Sequence, residues 1–199
     1  SNALWADIDS DLQDELVVGS EETGLTALEA DGQVLWRYEG KEGDPPLSVR
    51  GSIAAADVDG DAAAEIVACG RWGPLCIGGS GTLRWQASTG DDFSKSSVIV
   101  VDLGLGDGIP VCLCPSGDGA FLHAFDARNG ARLWSAALAA ASDDYSGSAM
   151  AVGDIDGAGA REIVLCDEKG HVQCFDARGV WQWTFVTDKP THAAITLAD

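Results

Sequence analysis

The chain predicts an all-β fold of four-stranded antiparallel sheets repeated about four times, and three observations carry that prediction. The first is a tryptophan beat. Trp36, Trp85, Trp134 and Trp183 stand 49 residues apart, each four residues after a glycine: GQVLW from Gly32, GTLRW from Gly81, GARLW from Gly130, GVWQW from Gly179. The second is an acidic phrase at the other end of each period. It reads ADIDSDLQDELVVG from Ala6, ADVDGDAAAEIVACG from Ala56, VDLGLGDGIPVCLC from Val101 and GDIDGAGAREIVLC from Gly153. The third is that no stretch sustains a 3.6-residue periodicity; even SAALAAASDD from Ser135 falls where a fourth strand should run into a loop. Self-similarity at this spacing marks stacked supersecondary units. Four-stranded units with a recurring aromatic near their end are the pattern of a β-propeller.

Each element follows from its composition. In the second unit SIAAAD is small and apolar, as suits a strand buried on both faces; EIVAC and PLCIG are short β-rich runs, and TLRWQ closes the sheet. Turn chemistry joins them: DVDGDAAA, then GRWG, then GSG. Ala54, Ala55 and Ala56 fit an innermost strand, where blades crowd an axis, while a tryptophan fills the wide gap between diverging sheets at the rim. One such sheet cannot bury both its faces, so each unit leans on its neighbours.

Residues 1–3 read as the remnant of a cleaved tag. The units then run over about 4–49, 50–97, 98–146 and 147–191, and a fifth begins at 192–199 with AITLAD. Four blades are the fewest a propeller uses, and Leu4 to Asp7 already fill the slot that the spare strand would take in a closed four-blade ring. The expectation is a partial ring, either part of a larger one or completed by a second chain in a homodimer.

A net charge of −20 excludes nucleic acid as a partner, because phosphate backbones need a basic footprint. No apolar run is long enough to span a bilayer, so membrane insertion is not expected. Of six cysteines, Cys69 with Cys76 and Cys166 with Cys174 recur on adjacent strands of a hairpin, as either disulfides or small buried thiols.

The acidic phrases offer alternating carboxylates on a tight turn, the donor type that Ca²⁺ takes. The candidates are Asp7, Asp9, Asp11 and Glu15; Asp57, Asp59, Asp61 and Glu65; and Asp154, Asp156 and Glu162, where Ala158 replaces the third carboxylate. The competing reading is a solvated turn whose aspartates bond their own backbone. Asp102, with Gly104 and Gly106, has lost the pattern.

The DxDxDxxxE phrase followed by a β-rich strand resembles FG-GAP/VCBS repeats, and AFDARNGARLW and CFDARGVWQW resemble the repeat of quinoprotein-like (PQQ-like) propellers. The resemblance covers nearly the whole chain. It implies a propeller, calcium held in the loops between first and second strands, and an exported or surface-associated protein, whether extracellular, periplasmic or on the cell surface. The sequence departs from the family glycine at the sixth loop position, where Leu12 and Ala62 stand. Quinoprotein dehydrogenases grip PQQ with adjacent cysteines, whereas Leu113 separates Cys112 from Cys114, which argues against that cofactor.

The loops entering each first strand should open on the face opposite the acidic turns. Seven residues before the leading aspartate stand Arg50, Lys95, Gly147 and His192, and the same face takes Arg71 and Trp72, with Tyr145 nearby. Basic and aromatic groups converging on a concave mouth suit an anionic or carbohydrate ligand; otherwise they neutralise acidic neighbours. His123 and His171 fall inside strands, as packed residues. No G-x-S-x-G elbow or metal-ligand histidine spacing is present. The sequence thus points to a non-catalytic propeller module binding a protein or glycan. The alternative is part of an enzyme propeller, a polysaccharide lyase or a quinone-dependent dehydrogenase.

Overall fold

A computed structural model describes residues 2–41, 47–91, 93, 96–116, 120–138, 150–167, 169–187 and 195–197. These form sixteen strands in four antiparallel four-stranded sheets, and no helix. The first sheet comprises β1 (Asn2–Ala6), β2 (Glu15–Ser20), β3 (Gly24–Leu28) and β4 (Val34–Tyr38), paired in that order. The second is β5 (Ala54–Ala56), β6 (Glu65–Gly70), β7 (Gly73–Ile77) and β8 (Leu83–Gln86). The third is β9 (Ile99–Asp102), β10 (Pro110–Pro115), β11 (Phe121–Asp126) and β12 (Arg132–Ala137). The fourth is β13 (Met150–Gly153), β14 (Glu162–Cys166), β15 (His171–Phe175) and β16 (Trp181–Val186). β1 begins at Asn2, so Asn2 and Ala3, read as part of a tag remnant, contribute to a strand. At the start of the fifth unit, the described residues 195–197 are not in a strand.

Three apolar seams hold the sheets together. Val17, Leu25 and Ala27 of the first sheet pack with Ile66, Ala68, Leu75 and Ile77 of the second. Val67, Cys69, Cys76 and Trp85 continue into Cys112, Cys114 and Phe125 of the third. Leu113, Leu122 and Ala124 meet Ile163, Leu165 and Phe175 of the fourth. Among the described residues no buried apolar cluster joins the fourth sheet to the first. Both outer faces are accordingly open, with Trp5, Leu35, Trp183 and Phe185 exposed. The four blades form an arc.

The tryptophans fasten the seams. Each sits beside a β-bulge at the same place in its unit, and the rings of Trp36, Trp85 and Trp134 cover the turn glycine of the next unit. Gly81, Gly130 and Gly179 have φ of 78°, 74° and 77°, and a Cβ on any of them would meet the preceding ring. Glycine is required there twice, for the left-handed turn and for the close approach. The Trp36 and Trp85 indole N–H groups donate to the carbonyls of Gly79 and Ala127 at 2.7 and 2.8 Å.

All six cysteines are free and buried. Cys69 lies opposite Pro74 and Cys76 opposite Val67; Cys166 faces Val172 and Cys174 faces Val164. The sulfurs stand on diagonal positions, and the buried-thiol reading holds over the hairpin disulfides.

Candidate functional site

The acidic turns link first to second strands at one end of every blade, and each is tied down from within. The Glu15, Glu65 and Glu162 carboxylates accept the backbone N–H groups of Ile8, Val58 and Ile155 at 3.0, 3.0 and 2.8 Å. Asp7 accepts from Ser10 and Leu12, and Asp57 from Gly60 and Ala62, at 2.7 and 3.0 Å in each turn. Asp154 accepts from Gly159 at 3.0 Å. The self-bonded turn is therefore realised, and each carboxylate still has oxygen lone pairs to offer.

Carboxylate oxygens gather within 4.8 Å of one another in three groups: Asp7, Asp9 and Glu15; Asp57, Asp59 and Asp61; Asp154, Asp156 and Glu162. Asp11 and Glu65 stand outside them. Asp11 instead accepts both N–H groups of Gln13. Burial pushes the Glu15 carboxyl above its usual range, against the Ile8 hydrogen bond, and the charges of Asp9 and Asp11 push the same way.

Glu65 belongs to a different arrangement, which sequence reasoning missed. The Arg84 guanidinium bonds Asp59 and reaches Asp61 at 3.8 Å and fully buried Glu65 at 3.1 Å. Its hydrogen bond holds Asp59 below the usual carboxylate range, and burial still raises Glu65. The bulge explains the reach. Leu83 pairs with Ile77 and Trp85 with Cys76, so Arg84 is the extra residue, released from the ladder and turned toward its own acidic loop. The equivalent residues are Leu35, Leu133 and Gln182, and a cation directly before the tryptophan in this one repeat was the available signal.

Of the predicted ligand face, Arg50, Arg71 and Trp72 are described, and all three are exposed. Lys95, Tyr145 and His192 lie outside the described residues. Arg50 pairs with Glu21 at 3.3 Å, the neutralising role. Arg71 places its guanidinium carbon 5.1 Å from the centre of the Trp72 ring. Two open clefts among the described residues lie at the other end. One between the first two blades is lined by Asp9, Trp36, Asp61 and Arg84, and another on the last blade by Asp156, Glu162, Cys174 and Trp183.

His123 is buried against Phe93, Phe121 and Phe125, with ring centres 5.3, 5.7 and 6.0 Å away. Its Nδ1 meets Ser135 Oγ at 2.8 Å and its Nε2 meets Asp91 at 3.3 Å. Ser135 is the direct cross-strand partner of His123, so the trio ties strand to strand and blade to blade. His171 bonds Asp167 at 2.7 Å.

No family model and no curated protein matches this sequence. Solved structures do. The V. cholerae biofilm matrix protein Bap1 is similar over 94% of this chain and 28% of its own, at 20% identity and a TM-score of 0.67. BamB from Moraxella catarrhalis covers 88% of this chain and 48% of its own, at 15% identity and 0.59. A europium-containing methanol dehydrogenase covers 85% and 39%, at 14% and 0.59. The fold is a β-propeller. This chain spans well under two thirds of each of these neighbours, and identities this low speak to fold alone. Among the described residues no helix is long and apolar enough to cross a membrane.

Proposed function

We propose that this chain is a non-catalytic propeller module, exported or surface-associated, that binds an anionic glycan or an acidic protein surface through the rim carrying Arg71 and Trp72. One observation carries the reading. Trp72 is 47% exposed, with a guanidinium stacked on its ring, in a chain of 12 basic against 32 acidic side chains. An aromatic face supplies the apolar contact that sugars stack on, and the cation selects for negative charge. Arg50, Lys95, Tyr145 and His192 extend the same rim in this reading. Bap1, a biofilm matrix protein by description, lends support for a surface setting.

Calcium is the proposed structural ion, and the turns differ in how well they suit it. Asp7, Asp9 and Glu15, and Asp154, Asp156 and Glu162, offer clustered oxygens. Their bulge positions hold Leu35 and Gln182, without charge. Asp57, Asp59 and Asp61 cluster too, but Arg84 supplies positive charge from within, and a metal there competes with it. Bound calcium would stiffen the turn and supply no chemistry.

Titration calorimetry with a uronic-acid oligosaccharide tests the binding reading. Saturable binding that Trp72→Ala abolishes, with melting unchanged, is the expected result; no binding overturns it. Release of unsaturated uronate ends would favour the lyase alternative.

A further inference from the structure

The three internal seams share one contact, and the arc carries an unused half of it at each end. A Cβ built on Gly81, Gly130 or Gly179 would come within 2.7, 2.7 or 2.5 Å of the ring of Trp36, Trp85 or Trp134. Gly32 holds the same turn position with φ of 85°, and its Cβ would meet nothing within 4 Å. At the other end Trp183 is 42% exposed, where Trp85 is 9%. Trp183 and Phe185 lie opposite Cys174 and Val172 and so share one sheet face. Its counterpart in the second blade is the face buried against the third. On the first blade, half-buried Leu16 and Val18 occupy the places of Ile66 and Ala68, which are fully buried against a preceding sheet.

We propose that a second copy of this chain covers these ends, with Trp183 of one copy seated on Gly32 of the partner subunit. The occupant follows from continuity: three seams in the molecule already use this joint, and each copy presents one free half of either kind. The contact is head to tail, and such contacts either close into rings or run on as filaments. Two four-bladed arcs make eight blades, within the four-to-eight range of propellers, whereas three would make twelve. The closed species is a dimer. This rests on the reading that a second chain completes the ring, and it names the joint. Leu197 lies against Gly153, where a following inner strand would begin.

Light scattering after gel filtration tests it on the 199-residue chain, with Trp183→Ala and Gly32→Asn. Asparagine tolerates the left-handed turn and adds a side chain where the ring must sit. The wild type is expected at twice 20.6 kDa. Each variant should fall to one chain mass with its melting temperature no lower than that of the wild type diluted to monomer. Mixing the variants should restore a dimer through the one intact joint. Added salt should tighten association, because each copy carries −20. A wild-type mass of one chain overturns completion by a second copy. A dimer that neither variant disrupts overturns this joint while leaving the pairing, and a mass that climbs with concentration overturns closure.

Discussion

Three non-glycine residues of the acidic turns hold backbone conformations that suit glycine, Ser10 among them with φ of 66°. Leu12 and Ala62 have φ of 69° and 76°, at the position where the fourth turn has Gly159 at 92°. A side chain costs about 1 kcal/mol in that region, and Leu12, 92% exposed, gains nothing from packing. Leu12→Gly is therefore expected to stabilise the fold by about 0.5 kcal/mol after the entropy of a freer unfolded chain is subtracted, read by urea unfolding. Arg84 runs the other way. Arg84→Leu leaves Glu65 buried beside two aspartates and should destabilise by about 1–2 kcal/mol, a buried-pair loss reduced because the guanidinium is a third exposed. In the same variant the loss of Arg84 should make calcium more stabilising than in the wild type, measured by melting with and without chelator. The spacing of the aspartates was legible in the sequence. That an arginine 19 residues beyond Glu65 answers them was not, because a bulge decides where that side chain points.

At the scale of the strand and its turn, the recurring unit is a bulge, a tryptophan and the next glycine. Trp134 is partly buried over Gly179, and Trp183 has no following turn among the described residues. Trp134→Ala should cost about 2–3 kcal/mol, near the low end for a large core truncation, whereas Trp183→Ala in the single chain should cost under about 1 kcal/mol. Chemical denaturation of dilute protein separates them. The tryptophan period and the four strands per unit could be read directly, since periodic aromatics and turn residues are local signals. The bulge could not, being a property of how two strands register. Half of the ligand rim remains an expectation, as Lys95, Tyr145 and His192 fall outside the described residues.

For the whole molecule, charge and burial together set the response to acid. Glu15 and Glu65 have folded pKa values above their unfolded ones, so the folded state binds their protons more readily. Their contribution is greatest below the unfolded value near 4.5 and fades as pH rises through the raised one. Asp59 and Asp126 are lowered, and their contribution is lost only as pH falls below 3.8. Between neutrality and the unfolded glutamate value, the raised glutamates and relief of the −20 charge act in one direction. In chelator the melting temperature should therefore rise on mild acidification. Added calcium should stabilise more at neutral than at acid pH, because it must displace those protons. A calcium increment independent of pH would exclude Glu15 as a ligand.

The sulfurs buried in the blades have a practical consequence. Cys76 and Cys174 are pushed up to about 12 and about 11, chiefly by burial, and Cys114 is raised well above the ordinary thiol range by the same cause. Alkylating reagents need the thiolate and a path to it, so in the intact arc these groups are silent. Four of the six line the joint between the middle blades, and their rate of labelling would time the parting of that joint, with no probe added to the molecule.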